Sequence, residues 1–190
     1  MILRRVMISY AASLLFFTSV QAQADVKHFA QDGLSFDYPA NWQLTDRSSP
    51  QMQYLQLSRA GDADIRIRAP REPIDTPAKE AEAMRIVHQQ YLDEWVKNLQ
   101  KMGMHAEPSD ITTEISGGPA KGARLHVVLD GEPGGVDVYW RLVSNRFVQL
   151  TIVGSDAQIK NSAVAWNTIR NSLKIEPPPQ PQPKPKPSPQ

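Results

Sequence analysis

The sequence predicts an α+β domain, a mostly antiparallel β-sheet flanked by helices, and three observations predict it. Period-2 apolar segments fall into two blocks, joined within each block by turns of hairpin length. Each block is followed by a segment whose apolar residues recur three or four apart, the spacing of one helix face. Strands and helices are segregated along the chain, giving the order β-β-β-β-α-β-β-β-β-α.

Leu34, Phe36 and Tyr38 alternate with Ser35 and Asp37, and Pro39 closes that strand before Asn41-Trp42 turns the chain back. Tyr54 to Ser58 and Ala63 to Ala69 form the next pair, separated by a turn at Ala60-Gly61-Asp62. In the second of these, Ile65 and Ile67 face one way while Arg66 and Arg68 face the other. A long helix is predicted from about Pro77 to Met102. Thr76 is its cap, Pro77 suits the first helical position and Gly103 is the stop. Its apolar face is Met84, Val87, Tyr91, Trp95, Leu99 and Met102, with His88 at the boundary.

Strands resume at Ile111 to Ile115, followed by the alternation of Leu125, Val127 and Leu129. Asp130 to Gly135 reads as a turn. Val136, Val138, Trp140 and Leu142 alternate next. Phe147 to Val153 is more continuously apolar, as a central strand would be. One last helix is expected from about Asp156 to Leu173, opened by a Ser155/Gln158 capping box, with Ile159, Ala163, Trp166, Ile169 and Leu173 on its buried stripe.

Three regions are expected: a signal peptide over 1–24, the α+β domain over 25–176 and a disordered proline-rich tail over 177–190. Arg4 and Arg5 precede an apolar run from Val6 to Val20, and Ala22-Gln23-Ala24 is a small-x-small cleavage site. Cleavage after Ala24 implies a periplasmic or secreted product with no membrane span, because the apolar run is shorter than the ~20 residues a spanning helix needs. The tail alternates proline with Gln, Lys and Ser, a composition that favours polyproline II and cannot bury a core.

Composition removes several classes of function. The chain has no cysteine, which excludes disulfides, thiolate ligands, a cysteine nucleophile and a lipoprotein attachment cysteine. Removing Arg4 and Arg5 leaves 19 basic against 20 acidic residues, so no basic surface for nucleic acid is indicated. The histidines His28, His88, His105 and His126 lack the spacing of a zinc motif. No Gly-x-Ser-x-Gly element is present. Ser116-Gly117-Gly118 and Gly131 to Gly135 have the look of turns rather than phosphate loops. No catalytic residue, metal site or cofactor is therefore assigned. The concentrated positive charge is Arg59, Arg66, Arg68 and Arg71, read either as a charged exposed strand face or as a contact for a partner protein.

The segment Gly33-Leu34-Ser35-Phe36-Asp37-Tyr38-Pro39-Ala40-Asn41-Trp42 resembles the opening hairpin of the Mog1/PsbP/DcrB-like superfamily. The closing strand and helix, Phe147 to Ile175, resemble that group too, as does the element order between them. The resemblance implies an antiparallel sheet flanked by helices and a mostly non-enzymatic role. Members assist photosystem assembly, bind a small GTPase, chaperone secreted effectors or sit in the bacterial envelope. The expectation is thus an exported, non-enzymatic interaction or assembly module whose partner is an envelope protein. The alternative is a binding module for a small apolar or lipid ligand held between sheet and long helix, near Tyr91 and Trp95.

Overall fold

The computed structural model describes residues 25–129 and 131–176; the expected signal peptide, the proline-rich tail and Asp130 lie outside them. Asp32 and Gly33 both adopt left-handed backbone (φ 49° and 75°) and form a two-residue turn. The right-handed twist of paired strands matches such a turn. It joins β1 (Val26–Gln31) to β2 (Leu34–Pro39), with Gln31 opposite Leu34. The two-residue connections Ser116-Gly117 and Ser144-Asn145 repeat the device. They link β6 (Pro108–Ile115) to β7 (Gly118–Leu129) and β8 (Glu132–Val143) to β9 (Arg146–Ser155).

Two antiparallel sheets result. Seven strands run in the order β3-β4-β5-β9-β8-β7-β6, where β3 is Gln43–Asp46, β4 Met52–Ser58 and β5 Asp64–Pro70. The apolar strand β9 is central, as its composition predicts. A smaller sheet, β1-β2-β10, is closed by β10 (Lys174–Ile175). Neither β1 nor β10 belongs to the predicted order. The first is largely exposed and the second is two residues long, so neither has an apolar alternation to read. The glycines expected to form a turn at Gly134-Gly135 lie inside β8. A Cβ on Gly134 would come within 2.4 Å of the Gly154 carbonyl oxygen, so these glycines allow close strand approach.

The long helix starts as predicted, with the Thr76 hydroxyl accepting the Lys79 N–H at 3.3 Å. It comprises α1 (Pro77–Ala83), a π-helical stretch Met84–Gln89 and α2 (Gln90–Lys101). It ends as Gly103 N–H donates to the Gln100 carbonyl and Met104 N–H to that of Leu99, the two bonds of a Schellman cap. Each wide π turn rotates the following residues relative to a regular helix. The buried residues are therefore His88, Leu92 and Leu99, of which Leu99 alone belongs to the predicted stripe. Met102 is 68 % exposed, Tyr91 and Trp95 are half-buried, and the Val87 side chain is not among those described.

The C-terminal helix is likewise two, α3 (Asp156–Asn161) and α4 (Ala163–Ser172). The capping box at Ser155 and Gln158 forms. The break falls at Ser162, whose buried hydroxyl donates to the Gln158 carbonyl (2.8 Å) and accepts the Ala63 N–H (2.9 Å). A serine bonding back to the preceding turn competes with helix continuation. The buried stripe accordingly passes through Ala165, Ile169 and Leu173, while Ala163 is exposed.

The sheet is sandwiched. One face packs Leu55, Leu57, Ile65, Ile67, Leu150 and Ile152 against Leu34, Phe36, Ile169 and Leu173 of the small sheet and α4. The opposite face packs Leu125, Val136 and Val138 against Leu92 and Leu99 of α2. Arg146, 4 % exposed, ties the layers together. It donates to Gln53 Oε1 (2.6 Å) and to the Asp32 (3.0 Å) and Pro70 (3.1 Å) carbonyls. Among the described residues no helix is long and apolar enough to cross a membrane.

Candidate functional site

β5 alternates across the sheet, so Ile65 and Ile67 enter the sandwich core and Arg66 and Arg68 emerge on the α2 side. There the rotated helix presents Tyr91 and Trp95. The Arg66 guanidinium lies 5.3 Å from the Trp95 ring centre, and that of Arg68 lies 4.6 Å from Tyr91. Tyr91 and Trp95 meet edge to face at 6.3 Å and 86°. Each cation–ring contact of this kind contributes about 0.5–2 kcal/mol according to its desolvation. Two of the four arginines and both aromatic residues, assigned to separate roles from sequence, thus interleave into one ladder.

Electrostatics hold the ladder in place. Arg66 Nε donates to Asp64 Oδ2 at 2.6 Å, and Gln56 Nε2 donates to the other Asp64 oxygen at 2.9 Å. Burial pulls the Arg66 pKa down, but Asp64, by charge and hydrogen bond, outweighs it and leaves the guanidinium raised above its ordinary value. Arg68 Nη1 donates to Gln149 Oε1 at 3.3 Å. The Arg66 side chain retains 24 % exposure. Two open clefts flank the ladder. One, of about 200 Å³, is bounded by Arg66, Tyr91, Glu94, Trp95 and Asn98. The other, of about 360 Å³, is bounded by Arg47, Ser49, Met52, Tyr54, Arg68, Tyr91 and Glu94. Beneath them the Tyr91 Oη and Thr151 Oγ1 atoms are buried without a hydrogen-bond partner among the described residues.

Arg59 and Arg71 do not join this ladder. They sit at opposite ends of the β4–β5 hairpin. Arg59 is paired with Asp62 and lies 5.7 Å from the Trp42 ring centre. Arg71 is paired with Asp32 at 2.5 Å. The single basic patch suggested by spacing in the chain is therefore three separate places. Nor is the Arg66/Arg68 face a bare strand face, because α2 covers it. The space between helix and sheet is filled by Leu92, Val96 and Leu99 against Val136 and Val138, and the clefts beside Tyr91 and Trp95 are walled by charged groups.

His28 lies 2.6 Å from Asp37 and His105 lies 3.3 Å from Glu107, both exposed; His126 is exposed as well. His88 is the exception, missed as a buried group. It is 6 % exposed, with its ring centre 3.3 Å from that of Trp140, and burial pushes its pKa down to about 4. Among the described residues no three His, Asp or Glu side chains gather as a metal site would require.

The class defined by this architecture is an α+β fold of antiparallel sheets and flanking helices. Solved structures similar to it include cyanobacterial PsbP (CyanoP) from Synechocystis sp. PCC 6803. That match has a TM-score of 0.48 at 12 % identity and covers 89 % of this chain and 99 % of that one. LpqN of Mycobacterium tuberculosis, described as involved in cell envelope biogenesis, is similar at TM-score 0.47 and 17 % identity over 80 % and 90 % of the two chains. A Bacteroides thetaiotaomicron VPI-5482 protein is similar at TM-score 0.51 and 12 % identity, over 80 % of this chain and 48 % of that one. At these identities the likeness is one of fold. No protein-family model and no curated protein matches the sequence.

Proposed function

We propose that this chain is an exported, non-enzymatic accessory module of the cell envelope that acts through protein contacts, with Arg66, Arg68, Tyr91 and Trp95 as its contact residues. The observation that carries the reading is the interleaved arginine–aromatic ladder, open to solvent on its cleft side. Trp, Tyr and Arg dominate the energetics of protein interfaces. Stacking holds these long side chains in one geometry before any partner arrives, which lowers the entropy lost on binding. Export rests on the Arg4-Arg5, apolar-run and Ala-Gln-Ala pattern of residues 1–24.

The test places a photocrosslinking amino acid at exposed Glu94 or Asn98 and irradiates envelope extract. The reading expects one shared adduct from both positions, lost when Arg68→Glu and Trp95→Ala are combined with the label. Adducts that survive those substitutions, or differ between the two positions, overturn it. Fractionation of the tagged chain into envelope and cytoplasm checks the export half separately.

A further inference from the structure

We propose that a second surface, a groove between α1 and the end of the β4–β5 hairpin, is the docking site of this chain's own proline-rich C-terminal segment, residues 177–190. The groove encloses about 530 Å³ and is lined by Met52, Pro70, Pro73, Ile74, Ala83 and Ile86. Its buried floor is Ile74, which clusters with Phe147 behind it, with Met52 and Ala83 packed against them. Above that floor α1 buries none of its residues, and Ile86, in the stretch that follows it, is 42 % exposed. This part of the helix presents apolar side chains that the rest of the described chain leaves uncovered.

The chain leaves the fold beside this groove. β10 runs antiparallel to β2 toward the Asp32-Gly33 turn, and the Glu176 N–H donates to the Gly33 carbonyl at 2.8 Å. Asp32 of the same turn holds Arg71 at 2.5 Å, and Arg71 is itself on the groove wall. Fourteen residues follow Glu176. At ~3.1 Å per residue in polyproline II they reach ~43 Å, ample to cross a groove that begins one ion pair away.

Chemistry favours this occupant. Pro177-Pro178-Pro179 lacks backbone N–H groups and therefore cannot extend the β10 ladder, so β-strand addition is closed to it. Proline rings instead bury well against an apolar trough, and the restricted φ of proline lowers the ordering cost. The rim is of mixed charge, with Glu72 paired to Lys79 at 3.2 Å and Glu82 to Arg85 at 2.7 Å, so the apolar trough and not Lys184 or Lys186 would carry the contact. The groove shares Met52 with one cleft beside the ladder but is lined by none of Arg66, Arg68, Tyr91 and Trp95.

Because the chain has no cysteine, Pro183→Cys gives one attachment point for a nitroxide on the full chain. The proposal expects the methyl signals of Ile74, Ile86 and Met52 to lose more than half their intensity, independently of protein concentration, while Val164 on α4 is unaffected. Ile86→Arg should restore the Ile74 and Met52 signals. A synthetic peptide of residues 177–190 should shift the same methyls of a chain ending at Glu176. Broadening that Ile86→Arg leaves intact reflects tethering alone and overturns the proposal. So does broadening seen only between labelled and unlabelled copies, which marks a second copy as the occupant, or a peptide that shifts nothing.

Discussion

Acid should destabilise this fold through His88 in a measurable and removable way. The imidazole is buried in the π-helical stretch against Trp140, its Nδ1 has no hydrogen-bond partner among the described residues, and burial lowers its pKa to about 4. In the unfolded chain a histidine titrates near ~6.5. The folded value is the depressed one, so the unfolded state binds the proton more readily. The His88 contribution is complete above ~6.5 and is lost as the pH falls from there toward ~4. Integrating that difference gives a loss of about 2 kcal/mol between ~pH 7.5 and ~pH 5. Urea denaturation of the chain and of His88→Phe, which keeps a flat ring against Trp140, isolates this share from that of every other group. The stability of the parent should fall by about 2 kcal/mol more than that of the variant across this interval. Equal falls in both would refute the reasoning, because the imidazole would then be as easily protonated in the fold as outside it.

Three further outcomes follow from the packing. Arg146→Met leaves Gln53 Oε1 and the Asp32 and Pro70 carbonyls without their donor; the urea midpoint should drop by the equivalent of about 3 kcal/mol. Ser162→Ala strands the N–H of Ala63, a residue 1 % exposed, and should cost about 1–2 kcal/mol, read as a lower thermal midpoint with unchanged far-ultraviolet circular dichroism. Gly134→Ala sets a methyl 2.4 Å from the Gly154 carbonyl oxygen, backbone against backbone, and should cost at least about 2 kcal/mol. Gly61→Ala is the comparison: it meets nothing within 4 Å and carries only the strain of its positive φ of 81°.

Much of the architecture is legible in local chemistry. The Leu34–Phe36 alternation, the Thr76 cap and the Ser155/Gln158 box all act over three or four residues, and all are found where the sequence places them. Asp32-Gly33 was an available signal for the missed β1, since Asp-Gly is among the strongest two-residue hairpin turns. The helix interruptions are less legible. Ser162 breaks its helix to meet an N–H almost a hundred residues earlier in the chain, and the π stretch at Met84–Gln89 has no local breaker such as proline or glycine.

By itself the sequence determined the alternation of strand faces, the helix starts and the positions of most turns, because each depends on neighbours within one turn or one pleat. It also separated Arg66 and Arg68 from Ile65 and Ile67. Only the tertiary structure decided that those two arginines lie under Trp95 and Tyr91, that Arg59 and Arg71 go elsewhere, and that His88 is buried while Met102 is exposed. The physical reason is common to all of these. One π-helical stretch resets the rotation of a helix lying across a sheet, and long-range pairing of β5 with β9 brings distant segments under it. Neither the rotation nor that pairing has an energy that can be assigned to nearby residues alone.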